Sequence, residues 1–208
     1  MTERATGADR LAAELRQRVL SGELVPGAPL REEALAEEYA LSRHTVRRAL
    51  ERLVADRLLV SEAYRGVRVT SFSDADVVAL QQLRTALESE AVRLIRADHG
   101  ESWPSELVTP LLDAADRMAI DPSPEQAHSA FHRALVAAAG SPRITEAYER
   151  LDTEMLLFLR QLRSAYDGHR LCTEHRDYLS AVQRRGDAAV RQHLADSTAM
   201  LLASRLSP

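Results

Sequence analysis

The chain contains no lysine; all 27 of its basic residues are arginine. Coding bias in a GC-rich genome accounts for that, and no function is read from it. Cysteine is almost as scarce. A single residue, Cys172, excludes an internal disulfide framework and fits a reducing cytoplasm. Long apolar runs are missing as well: stretches such as Met155–Leu159 are far too short to cross a bilayer, so no membrane partner is expected. Residues 1–10, MTERATGADR, are charged and lack an apolar centre, so they do not read as a secretory leader. There is no internal repeat and no low-complexity segment.

What remains is an ordinary globular composition, 45% apolar and 28% charged over 208 residues, enough for one large or two small cores. The net charge of −4 argues against a generally basic nucleic-acid coat. Its distribution says more. Between Ser42 and Thr70, Arg43, Arg47, Arg48, Arg52, Arg57, Arg65 and Arg68 face only Glu51, Asp56 and Glu62. From Ser73 onward fifteen arginines are outnumbered by twenty acids, so the basic concentration is confined to one short segment.

Two regions follow from the patterning. In residues 8–72, Leu11, Leu15 and Val19 mark one buried helix face, which Gly22 and then Pro26-Gly27 terminate. A second short helix is predicted over 31–39, burying Ala34 and Leu35. Ser42 is a good N-cap for a third, which buries Val46, Ala49, Leu50 and Leu53. Leu58–Val60 and Val67–Thr70 read as strands joined through Tyr64-Arg65-Gly66, a hairpin with a basic tip. Residues 73–208 read as six amphipathic helices, roughly 74–98, 105–120, 123–139, 142–165, 168–185 and 187–206. Their breaks fall at Gly and Pro punctuation. In the first of them Leu80, Leu83, Leu87, Ala91 and Leu94 form the expected inner stripe. Short connections predict an antiparallel bundle.

The expected fold is therefore mainly α: a winged helix-turn-helix at 1–72 with a small β-hairpin wing, then an all-α six-helix bundle at 73–208. In such a unit the third helix turns an apolar face inward and offers a polar face to the major groove. Arg43 and Arg47, four residues apart, share the outer side with His44, Thr45 and Arg48. Arginine suits both guanine edges and phosphates. Composition alone leaves a solvated surface helix equally open.

The run Gly22-Glu23-Leu24-Val25-Pro26-Gly27, then Leu30-Arg31-Glu32, Leu35-Ala36 and Ser42 through Leu53, resembles the GntR family of bacterial regulators across nearly all of residues 10–70. That resemblance implies DNA contacts by Arg31, Arg43, Thr45 and Arg47, and Ser42, His44 and Arg48 join them as polar neighbours at the start and on the outer side of the same helix. It also implies a wing tip, Arg65-Gly66, at the minor groove. Two positions depart from the family pattern: Arg57 stands where glycine is usual before the wing, and His44 where a small polar residue is common. Leu83-Arg84, Leu87-Glu88 and Ala91, with Phe131-His132, Leu135, Glu174-His175 and Gly186-Asp187, resemble the FCD-type effector domain of one GntR subfamily.

Many members of that subfamily hold a divalent metal with one aspartate and three histidines. His128 and His132 occupy the first two positions, histidine replacing aspartate, and His175 the third. The fourth falls on Ser197, with His193 one turn earlier on the same face. Neutral imidazoles suit Zn²⁺, Ni²⁺ or Cu²⁺ better than Mg²⁺ or Ca²⁺. The residues alone leave polar pocket lining as an alternative. Cys172 reads as a buried structural thiol rather than a further ligand.

The resemblance implies a homodimer on a pseudo-palindromic operator, controlled by a small carboxylate effector; Arg84 and Arg160 are candidates to pair with it, and ordinary salt bridges along the helices are the other reading of both. No organic cofactor is expected, and repression is the commoner outcome. Two rival readings are a regulator for which the metal itself is the signal, and a small metallohydrolase using the histidines. The second leaves the N-terminal third unexplained and offers no paired general base, so an enzyme is not expected.

Overall fold

A computed structural model describes residues 6–161 and 167–205. It divides between residues 71 and 72 into two compact units. The first holds α1 (Gly7–Ser21), β1 (Pro29–Leu30), α2 (Glu32–Glu38), α3 (Arg43–Ala55), β2 (Leu59–Glu62) and β3 (Gly66–Val69). α1 starts at a reciprocal Thr6/Asp9 capping box and packs Leu11, Ala12, Leu15 and Val19 inward. Arg18, in its last turn, fastens it to Glu38 and the Tyr39 hydroxyl (3.0 and 2.9 Å). α3 begins at Ser42, whose Oγ accepts from the Thr45 N–H, and buries Val46, Ala49, Leu50 and Leu53.

The three strands form an antiparallel sheet in the order β1-β3-β2, with Leu59 opposite Val69 and Leu30 opposite Val67. The third strand, β1, is absent from the sequence reading because two residues are too few to show an alternation. The wing is longer than expected on β2, and Gly66 opens β3 instead of sitting in the turn. In α2 only Leu35 is fully buried; Ala34 is exposed and Ala36 takes the inward position. Arg57, before the wing, has φ +57°, a left-handed backbone that explains why glycine is usual there.

The second unit is an antiparallel helical bundle of α4 (Asp74–His99), α5 (Ser105–Ile120), α6 (Pro124–Ala137), α7 (Pro142–Gln161), α8 (Gly168–Arg185) and α9 (Asp187–Ser204). The expected extension of the fourth bundle helix to 165 lies partly outside the described residues. Phe131, Leu135, Leu111, Met118, Val182 and Val190 anchor its core. Arg205 closes the bundle by reaching Asp74 at 2.8 Å. Gly168 marks a close helix contact, since a Cβ there would lie 2.2 Å from the Met118 carbonyl oxygen.

The inner stripe of α4 differs from the expected one. Leu83 is 49% exposed and Leu87 and Leu94 are half-buried. The helix buries Val77, Leu80, Gln81, Arg84, Glu88, Ala91, Val92 and Ile95 instead. The leucines were the more hydrophobic choice. Arg84 and Glu88 go inside because each finds hydrogen-bond partners there, which removes most of the penalty of burying charge.

Candidate functional site

Two groups of polar side chains stand out, one in each unit. On the first, α3 exposes Arg43, His44, Arg47 and Arg48. Thr45 is half-buried, its Oγ1 2.8 Å from the Ser42 Oγ, so both side chains are engaged at the helix start. Arg47 is clasped by Glu32 of α2: its Nε and Nη2 donate to the two carboxylate oxygens at 3.0 and 2.8 Å. That arginine holds the Glu32 carboxyl below its usual range. Arg43 Nη2 meets Glu33 at 2.8 Å. Glu32 was quoted in the sequence only as part of the Leu30-Arg31-Glu32 motif, and Glu33, next along, was not singled out. A groove of about 420 Å³ runs between the start of α2 and the wing, bringing Arg31 together with Arg65, Gly66 and Arg68. At the wing tip Tyr64 is entirely exposed, and Arg65 pairs with Glu62 at 3.3 Å.

In the second unit, His128 and His132 on α6 and His175 on α8 converge. One nitrogen from each lies within 4.8 Å of the others, and all three residues are buried. Two hydrogen bonds fix the tautomers. His132 Nδ1 faces a Glu88 carboxylate oxygen at 3.0 Å and His175 Nδ1 faces the Leu171 carbonyl at 2.8 Å. Both partners are acceptors, so both Nδ1 atoms carry the proton and both Nε2 atoms present a bare lone pair. Those two Nε2 atoms are 3.2 Å apart.

Facing lone pairs at that distance repel unless a cation lies between them. A shared proton is disfavoured: burial, reinforced by the neighbouring Arg84 charge, pushes His132 well below its ordinary range and His175 to about 4. Burial and the adjacent histidines do the same to His128. A metal ion fits better, since ligand nitrogens around a tetrahedral Zn²⁺ are about 3.4 Å apart at ordinary bond lengths. The donor set is three neutral imidazoles, and Glu88 supplies the outer carboxylate that aims one of them.

Glu88 was quoted in the sequence only as part of a motif, yet it organises this layer. Fully buried, it also accepts from Arg84 Nε (3.1 Å), the Tyr148 hydroxyl (2.8 Å) and the Tyr178 hydroxyl (3.2 Å). A mid-helix glutamate four residues after an arginine, inside the inward stripe, was the available signal.

His193 lies beside the cluster, its ring 5.1 Å from that of His175, but it stacks on Tyr178 (3.9 Å, 13°) and stands outside the converging three. Its Nε2 is shut off from solvent with no hydrogen-bond partner among the described residues. Burial and the nearby His175 push its pKa to about 3. Ser197 Oγ accepts from Gln81 at 3.1 Å, and Gln81 in turn accepts from Arg84. Arg84 is thus wholly internal, while Arg160 lies 3.5 Å from Glu125. Cys172 is half-exposed and points at Asp116 of α5 (3.6 Å), so it is neither a buried thiol nor a member of the cluster. A cavity of about 430 Å³ opens against His128, His175 and His193, with Gln192, Ser197 and Arg185 further along its wall.

A helix-turn-helix with a hairpin wing, joined to a helical bundle with an internal polar pocket, defines a DNA-binding transcriptional regulator. Residues 8–69 match the family of bacterial regulatory proteins called gntR, and residues 79–198 match the FCD domain; the chain belongs to the GntR family and carries its FCD-type C-terminal domain. It is 28% identical over 197 residues to the transcriptional repressor GlaR of Escherichia coli, covering 86% of this chain and 89% of that one. It is 27% identical over 207 residues to the gluconate operon repressor of Bacillus subtilis, covering 93% and 82%. The crystal structure of a GntR-type regulator from Rhodococcus sp. RHA1 superimposes with a TM-score of 0.75 at 28% identity, covering 94% of this chain and 97% of that one. The family's members are regulators and not enzymes, which sets aside the metallohydrolase reading. No helix among the described residues is long and apolar enough to cross a membrane.

Proposed function

We propose that this regulator is a repressor whose operator affinity is set by a small carboxylate effector bound beside a transition metal in the C-terminal bundle. The observation that carries this reading is the pair of bare His132 and His175 Nε2 atoms facing each other at 3.2 Å. A metal there, held by His128, His132 and His175, supplies an open coordination position and a local positive charge. Beside it the protein places neutral imidazoles and the Arg84–Glu88 ion pair, so the ion's own charge would be what draws an anion, while Arg170 and Arg185 on the cavity wall stand among Glu174, Asp177 and Asp196. The 430 Å³ cavity against His128 and His175 is of the size that takes a small metabolite. Because relatives are named for the gluconate and galactonate operons, sugar acids are the first carboxylates to try.

On the DNA side, α3 lies in the major groove with Arg43, His44, Arg47 and Arg48 outward, and Arg31, Arg65 and Gly66 flank it. Ser42 and Thr45 sit at the helix start, where they reach phosphate oxygens. A pseudo-palindromic operator requires a two-fold dimer. The part-exposed leucines of α4, Leu83, Leu87 and Leu94, form a stripe that a second copy would cover.

The test combines elemental analysis of the native protein with a thermal-shift screen of sugar acids and other small carboxylates, with and without chelator. Bound zinc, nickel or copper, and a carboxylate shift that needs it, is the expected result. Absence of both would overturn the pocket reading. A change in DNA affinity on chelation alone would make the metal itself the signal. Arg47→Ala should weaken operator binding by about 1–3 kcal/mol if that residue reads a base.

A further inference from the structure

Arg47 has five N–H groups, and its contact with Glu32 uses two of them in a defined way. Nε–H and one Nη2–H point at the carboxylate, at 3.0 and 2.8 Å. The side edge of the guanidinium is thereby spent. Two hydrogens on Nη1 and one on Nη2 remain, and one from each nitrogen lies on the end of the fork. That end edge still offers two parallel donors, which is what bidentate contact with guanine O6 and N7 requires. An unclasped arginine on an open helix face would spread over many rotamers, and a DNA contact would have to freeze them. Glu32 does so beforehand, from the first turn of the adjacent helix α2.

We propose that Glu32 is a positioning residue for base reading: it locks the Arg47 guanidinium so that only its end edge is presented to the major groove. This rests on the assignment of the outer face of α3 as the DNA-reading face. The neighbouring pair provides an internal comparison. Glu33 meets Arg43 through one contact of 2.8 Å, with both side chains largely exposed (74% and 66%), so it fixes no plane. Glu32 and Glu33 thus place the same charge on the same turn, but only one of them orients its arginine.

That equality gives the experiment. Full-length wild type, E32Q, E33Q and R47A are each presented with a randomised pool of short duplexes. The sequence that wild type selects is then compared with its scrambled version across a range of salt. E32Q should lose about tenfold of the preference for the selected duplex, centred on one guanine position. Its affinity for the scrambled duplex should hold or rise, because a charge that repels phosphate is gone. E33Q should strengthen both duplexes alike and keep the preference within about twofold. A thermal melt confirms that each variant is folded; the substitutions are at solvent-accessible positions. Retention of the wild-type preference by E32Q, or an equal loss in E33Q, overturns the role of Glu32. R47A retaining that preference would instead overturn the assignment of the face itself.

Discussion

Nε2 of His132 faces Nε2 of His175 across 3.2 Å, and each ring has already committed its Nδ1 proton elsewhere. The orientation of His132 therefore depends on Glu88. Glu88→Gln can turn its amide NH₂ toward the imidazole and release the tautomer. Metal affinity, measured by calorimetry with Zn²⁺ or Ni²⁺, should fall about 10–100-fold. His132→Ala should abolish binding of the metal and the response to effector while leaving DNA affinity intact. An unchanged metal affinity in both variants would mean that the ion is held elsewhere.

The metal-free protein should lose stability in mild acid. His175 is held to about 4 in the folded state against an ordinary 6.5, and His128 and His132 lie well below 6.5. Each is depressed, so the unfolded chain takes up protons first. Stability is complete above about pH 6.5 and declines as pH falls toward 4, by up to about 1.4 kcal/mol per pH unit for each histidine. Thermal melts in the presence of chelator should show this slope. A flat profile between those limits would mean that the rings are not sealed from water in the way the fold implies.

Arg57 holds a left-handed backbone (φ +57°) in the turn that leads to the wing. Arg57→Gly relieves a steric cost of about 1–2 kcal/mol and gives back about 0.5–1 kcal/mol in unfolded-chain entropy. A net gain between about 0 and 1.5 kcal/mol is expected by denaturant unfolding. The backbone hydrogen bonds, from its N–H to Val54 and from the Thr70 hydroxyl to its carbonyl, do not need the side chain. A net loss would show that the arginine side chain outweighs the strain.

The start of α8 should tolerate no side chain at all. A Cβ on Gly168 would collide with the Met118 carbonyl oxygen, a backbone atom that cannot rotate away. Gly168→Ala should cost about 1–3 kcal/mol, with the loss seen as a lower melting temperature of the bundle. Gly7→Ala is the useful comparison, since Gly7 also opens a helix, holds no positive φ, and would place its Cβ at an ordinary contact distance, 3.4 Å from the Thr45 Cγ2. Equal effects from the two substitutions would remove the close contact as the cause.

Much of the fold was legible because helix and turn signals are local. Ser42 capped α3 as its position required, and Val46, Ala49, Leu50 and Leu53 fell on the inner face by period alone. Breaks at Gly100, Gly186 and Asp121-Pro122 set the bundle helices to within a residue or two. The resemblance to the FCD domain, joined to the i, i+4 spacing of His128 and His132, pointed to the three histidines that converge. The rest depended on partners distant in the chain. Burial of Arg84 and Glu88 in place of Leu83 and Leu87 is decided by Tyr148, Tyr178 and His132, residues 44 to 90 positions away. The clasp of Arg47 by Glu32 is a contact between helices, and no periodicity within either helix announces it.

The Glu88 carboxylate has one further consequence. It belongs to α4, and the groups that donate to it come from α6, α7 and α8 as well as from α4 itself. Four helices therefore meet at two oxygen atoms, none able to shift there without disturbing the hydrogen bonds of the other three. A layer tied in that way behaves as a latch with one moving part. It either stays closed or opens as a whole, so whatever displaces His132 is felt along α4, α7 and α8 together.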